Sequence, residues 1–177
     1  MVVQTRMTAK EFLALPESNL PAELLDGEII MSPAPELNHQ DIVLQLAILI
    51  KQQAKGGKTY VAPVDVYLDE SNVVQPDVLW IADGSACVPV EGKYLRGAPD
   101  LIAGVFSPGT ARRDKKDKFR LYEKFGVREY WMIDPGERLL EVWQLKKGHF
   151  ALLDVFGPEE QFASLLGAIE TKTIFPA

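Results

Sequence analysis

The sequence predicts an α/β domain: one mixed β-sheet with helices packed on it. Three observations predict this class. Two strand-like segments, "DLIAGVF" (100–106) and "EYWMID" (129–134), bracket a segment with helical spacing, and parallel neighbours need such a crossover. The middle of the chain, "TYVAPVDVYLD" and "VVQPDVLWIA", is rich in β-branched and aromatic residues, which suit a pleated, half-buried surface. Between Asn38 and Lys55 the apolar residues Ile42, Val43, Leu46, Leu49 and Ile50 recur at helical intervals. At 177 residues, 47% apolar and 25% charged, the chain is long enough to bury one full core as a single domain, 1–177.

Each element has a local reason. Thr8 and Glu11 have capping-box spacing, so a short helix starts at Thr8 and ends before Pro16. "AELLDGEIIM" reads as a hairpin turning at Asp26-Gly27. "SPAPE" is a loop. Asn38 is a candidate cap for the next helix, and Gly56-Gly57 end it. Glu70-Ser71-Asn72 is the turn between the two middle strands, and residues 83–98 read as irregular loop. "TARRDKKDKFRLYEKFG" is a helix with Phe119, Tyr122 and Phe125 on its buried side, stopped by Gly126. "LLEVWQLKKGHFALLDVF" is a late hairpin turning at Lys147-Gly148.

Composition excludes several classes. No apolar run approaches the ~20 residues of a membrane span, and "MVVQTRMTAKEF" lacks the apolar core of a secretory signal. Cys87 is the sole cysteine, so no internal disulfide can form, which suits the cytoplasm. One cysteine and two distant histidines, His39 and His149, argue against a thiolate–imidazole zinc site. The net charge of −6 is unevenly spread. Arg112 to Lys124 holds seven basic and three acidic residues, a net +4, leaving the rest of the chain at −10. A cationic helix on an acidic body is either a docking element for a polyanion or a solvated face laced with i,i+4 ion pairs.

Three positions stand out. Asp77 follows Pro76 and opens an apolar strand. It is either a strand-end charge facing water or an acid held on a rigid element, where ligands are placed most accurately. Asp100 also follows a proline and opens a strand, so the dipeptide alone does not choose. Period two puts Asp100, Ile102, Gly104 and Phe106 on one face. Gly104 therefore leaves a hydrogen where a carboxylate could converge with Asp77 on one hard cation. Lys118 lies one turn before Tyr122, at the border of the buried face. It is either a solvated lysine or a side chain that snorkels towards a site.

The segments "EFLALP", "AELLDGEIIMSPAP", "NHQDIVLQLAILI", "APVDVYLDESNVVQPDVLWIA", "GAPDLIAGVFSPGTARRDKKDKFRLYEKFGVREYWMIDP" and "LEVWQL" run in order over most of the chain. Together they resemble a large bacterial restriction-endonuclease family, abundant in cyanobacteria, of the PD-(D/E)XK nuclease superfamily. The resemblance implies a restriction-endonuclease-like central mixed sheet flanked by helices, and phosphodiester hydrolysis dependent on Mg²⁺ or Mn²⁺. It implies that Asp77 is a metal ligand. It implies that Lys118, Glu23 and His39 belong to the catalytic site, with the usual strand lysine moved to the helix and Phe106 standing in its place. The family's strand reads like "DLVVEVLSPST", with glutamate where this chain has Gly104. The backbone carbonyl of Val105 is a further oxygen donor in this picture.

Losing one carboxylate weakens the hold on a cation, so poor cleavage or none is expected. DNA is the implied partner, with Arg112, Arg113 and Lys116 lining its approach, and a homodimer is expected by analogy with other nucleases. Two readings of another kind stay open: a non-catalytic nucleic-acid-binding protein, and an interaction protein that keeps only the fold.

Overall fold

The computed structural model describes residues 6–16, 20–106 and 111–175, with backbone alone for 111–114. Helix α1 (Ala9–Leu13) opens on the predicted capping box: Thr8 and Glu11 hydrogen-bond each other's backbone reciprocally. Strands β1 (Ala22–Leu25) and β2 (Glu28–Met31) form the predicted hairpin. Its turn residues Asp26 and Gly27 both have positive φ, as a two-residue hairpin turn requires. Helix α2 (Leu37–Gln53) buries Ile42, Leu46, Leu49 and Ile50, as their spacing predicts. Its start differs from expectation. Glu36, not Asn38, is the N-cap, and it caps without a side-chain bond. The first turn closes two residues earlier, through Gln40 N–H to the Glu36 carbonyl.

The two middle segments are each split by a proline. "TYVAPVDVYLD" becomes β3 (Lys58–Val61) and β4 (Val66–Asp69). "VVQPDVLWIA" becomes β5 (Asn72–Val74) and β6 (Val78–Ile81). A proline cannot donate to a ladder, so pairing lapses at Pro63 and Pro76. At both points the chain passes from one sheet to another. The crossings lie side by side, with Ala62 N–H bonded to the Asp77 carbonyl at 3.0 Å. Asn72 belongs to β5, so the turn before it is Glu70-Ser71.

Residues 83–98 are not wholly irregular. They contain β7 (Val88–Val90) and β8 (Tyr94–Arg96), an antiparallel pair at a sheet edge, where Pro89 is tolerated. Strand β9 (Leu101–Val105), helix α3 (Ala111–Phe125) and β10 (Glu129–Asp134) form the predicted crossover, with β9 and β10 parallel. Thr110, the expected first residue of this helix, lies outside the described residues. The late hairpin is β11 (Leu139–Lys146) and β12 (His149–Phe156). A second hairpin, β13 (Gln161–Ser164) and β14 (Gly167–Glu170), was not evident from sequence.

Where the sequence predicts one sheet there are two large ones: the central mixed sheet runs β12-β11-β10-β9-β6-β3, and a second six-stranded sheet, also mixed through its parallel β4-β8 pair, runs β2-β1-β5-β4-β8-β7. The alternation of β9 decides what covers each face of the mixed sheet. Leu101, Ala103 and Val105 pack towards α2, with Val78, Trp131 and Ile133. Ile102 and Phe106 pack the other way, with Tyr122 of α3 and with Val66, Val74 and Leu95 of the second sheet. Gly104 falls on this second face, where the two sheets part.

Candidate active site

The splaying of the sheets at Gln75-Pro76-Asp77 opens a small cleft, and side chains from several elements reach it or its edge. In the ladder, Val78 of β6 pairs with Ala103 of β9 and Leu79 with Ile102. Extending that register by one residue sets Asp77 opposite Gly104. Directly opposed residues of antiparallel strands share a face. Asp77, Gly104, Phe106, Lys118, Tyr122 and Tyr130 accordingly line one cavity of about 40 Å³, room for an ion or a few waters. A Cβ on Gly104 would meet the Tyr130 hydroxyl at 3.5 Å, an ordinary contact. The backbone there thus has room for a Cβ, and the sequence supplies none.

Two ion pairs organise the polar groups. Lys118 Nζ lies 2.7 Å from Glu23 Oε2, with their side chains only 15% and 5% exposed. The other Glu23 oxygen accepts the Gln75 N–H at 2.7 Å, which ties β1 to the point where the chain changes sheets. His39 Nε2, near the start of α2, lies 3.3 Å from Asp77 Oδ1. Asp77 Oδ2 accepts the Val105 N–H at 2.8 Å. The hydrogen bond to Asp77 raises the His39 pKa, desolvation opposes it, and the Asp77 charge and the Val105 backbone add to the rise. His39 Nδ1 is buried and has no hydrogen-bond partner among the described residues.

The donor set is a poor fit to a divalent cation. Such an ion takes oxygen ligands, usually one or two carboxylates with waters. Here both oxygens of Asp77 and both of Glu23 already face protein donors. Among the described residues no group of three or more His, Cys, Asp or Glu side chains is placed to hold a metal. Position 104, facing Asp77 across the ladder, contributes only hydrogen.

Asp77, Gly104 and Lys118 thus line the cavity, and Glu23 and His39 stand beside it as the partners of Lys118 and Asp77. The basic residues are less complete. Lys116 is exposed on α3, while the side chains of Arg112 and Arg113 lie outside the described residues. Two neighbours of the cleft were not singled out from sequence. Tyr130 reaches the cavity because β10 runs parallel to β9 with Tyr130 beside Ile102, a register that the sequence does not encode locally. Lys115 sits 4.9 Å over the Phe106 ring and 3.3 Å from Glu141 Oε1. Its place one turn before Lys118 was the available signal.

The mixed sheet and the helix that crosses it thus gather an acid, a lysine and a histidine where strands diverge. A family model described as "Uma2: Putative restriction endonuclease" matches residues 9–170, and the chain belongs to that family. A crystal structure of a "putative nuclease belonging to DUF820" from Anabaena variabilis is similar over 96% of this chain and 97% of its own, with a TM-score of 0.79 and 21% identity. That likeness shows the fold. No curated protein matches the chain. Among the described residues, no helix is long and apolar enough to cross a membrane.

Proposed function

We propose that this protein binds DNA through a nuclease-type cleft and hydrolyses it weakly or not at all. The observation that carries the reading is Gly104, set opposite Asp77 in the ladder and lining the cavity at a point with room for a Cβ. In a nuclease of this type a Mg²⁺ or Mn²⁺ ion supplies an activated water and polarises the phosphate. Among the described residues Asp77 is the single carboxylate lining this cavity, so any such ion would be held weakly. Lys118 places a compact positive charge at the cavity, where it would neutralise a phosphate oxygen. Glu23 anchors that ammonium. His39, charged when protonated, orients Asp77 and adds a second cation near the same point.

The basic run 112–124 lies on the helix that carries Lys118, which supports an approach of the DNA backbone along α3, past Arg112, Arg113 and Lys116. A homodimer, bringing two clefts to one duplex, completes the reading.

The test is a cleavage assay on single- and double-stranded DNA with Mg²⁺ and with Mn²⁺, run beside a salt titration of binding. Binding that weakens steeply with salt, together with slow or undetectable cleavage, is expected. Metal-dependent cleavage at a rate ordinary for a nuclease would overturn the proposed loss. Salt-insensitive or undetectable binding would leave the fold serving an interaction of another kind.

A further inference from the structure

Helix α2 has a second apolar face. Its inner face buries Ile42, Leu46, Leu49 and Ile50. On the opposite side Leu37, Leu44 and Ile48 are 85%, 58% and 43% exposed. With Asp41 and Lys51, also exposed, they form the series 37, 41, 44, 48, 51, at alternating intervals of four and three. That is the seam of a helix packed lengthwise on another helix, not the face of a helix that ends at water. Asp41 and Lys51 are the only Asp, Glu, Lys or Arg residues between Leu37 and Gln53. Gln40, Gln45 and Gln52 flank the seam. Neither Asp41 nor Lys51 has an ion-pair partner among the described residues.

We infer that this outer seam of α2 is the surface on which a second copy of the chain docks, its own α2 antiparallel about a two-fold axis between Leu44 and Ile48. Charge complementarity selects that occupant. Lys51 lies ten residues beyond Asp41, about 15 Å along the axis. An antiparallel pair centred midway sets Asp41 of each copy against Lys51 of the other. The same register packs Leu44 on Ile48 across the axis, twice. One patch thereby satisfies itself, as a two-fold contact demands. A parallel pair would instead set each charge against its like.

The inference rests on the homodimer proposed above and gives it a geometry. His39 sits near the cleft end of α2, seven residues from the centre. The two His39 side chains would stand about 20 Å apart along the helix pair, counting 1.5 Å per residue. The clefts would then be held at a fixed spacing.

A single helix pair buries less than a large obligate interface, so dissociation on the order of micromolar is expected. The test is sedimentation velocity of the full chain over a concentration series, with circular dichroism and Tm as controls for folding. Leu44→Glu, at an exposed site, should leave the fold intact and weaken association about 100-fold, since the substitution strikes the centre of the contact twice. D41K alone, or K51D alone, should weaken it about tenfold by setting like charges together. The double variant D41K/K51D should return to within about threefold of the parent. D41K mixed with K51D should associate better than either alone, because the mixed pair restores both contacts. A parent that stays monomeric at every concentration would overturn the dimer and this interface together. A dimer untouched by Leu44→Glu and by D41K would leave the dimer standing and overturn the interface.

Discussion

Two buried carboxylates, Glu23 and Glu129, are satisfied in opposite ways. Glu129, 1% exposed, has no cationic partner among the described residues. Its oxygens accept from Trp131 Nε1 at 2.7 Å, Ser164 Oγ at 2.6 Å, Gln144 Nε2 at 3.1 Å and Leu165 N–H at 3.1 Å. These donors come from the mixed sheet and from the C-terminal hairpin, so the carboxylate pins one to the other. Glu23, 4% exposed, spends one oxygen on a backbone N–H and the other on the Lys118 ammonium beside the cleft. Fixed neutral donors suit an anchor: they neither titrate nor move. A cation on a long side chain suits a site, because its charge is available to whatever enters. The same residue type thus builds a joint in one region and poises a charge in the other.

The largest expected effect breaks the anchor. Glu129→Leu leaves four donors without their acceptor, at a cost of about 4 kcal/mol. A Tm fall of about 10 °C is expected by differential scanning calorimetry, with proteolysis beginning in the hairpin at 161–170. A variant as stable as the parent would mean that water or repacking serves those donors equally well.

Lys118→Met should come next. It strands Glu23 as a buried unpaired charge and should cost about 3 kcal/mol. Adding Glu23→Gln should recover most of that loss, whereas Glu129→Gln should recover none. This double-mutant cycle measures whether the cleft pair is coupled as its 2.7 Å separation implies.

The smallest effect of the three follows from His39. Its folded pKa is raised above the ordinary 6.5, chiefly by the bond to Asp77. A raised folded value means that folding favours the protonated form. The stabilisation is therefore fully present below pH 6.5 and is lost as pH rises through the folded pKa. Tm measured across that window should decline for the parent, and Asp77→Asn should flatten the decline. An unchanged slope in Asp77→Asn would separate the titration from this pair.

Much of the cleft was legible in the sequence, because short-range rules fix it. Period two placed Gly104 on the face of Ile102 and Phe106, and helical spacing put Lys118 at the border of the stripe led by Tyr122. The resemblance added Glu23 and His39, which the fold does bring beside Lys118 and Asp77. What was not legible depends on distant pairing. Pro63 and Pro76 interrupt their strands, yet nothing local says that the chain changes sheets there. The hairpin at 161–170 has four-residue strands and depends on an acid more than thirty residues away. Tyr130 reaches the cleft only through the parallel register of β10 on β9. The cap of α2 was misplaced because Glu36 caps with its backbone alone.

The central claim is that the cleft lacks one carboxylate, at position 104. Its most direct test is Tm against Mg²⁺ and Mn²⁺ concentration for the parent and for Gly104→Glu. A Cβ at position 104 meets only ordinary contacts with Tyr130, and the cavity lies directly beyond it. A second carboxylate facing Asp77 would be repelled by it until a cation joins them. Metal should then stabilise the variant more than the parent, by RT ln(1 + [M]/Kd) for the tighter site. A shift at least about 3 °C larger in the variant at millimolar metal is the expected result, with cleavage of plasmid DNA rising in parallel. Equal shifts and equal cleavage would contradict the account, and Gly104 would then be a packing choice with no bearing on metal.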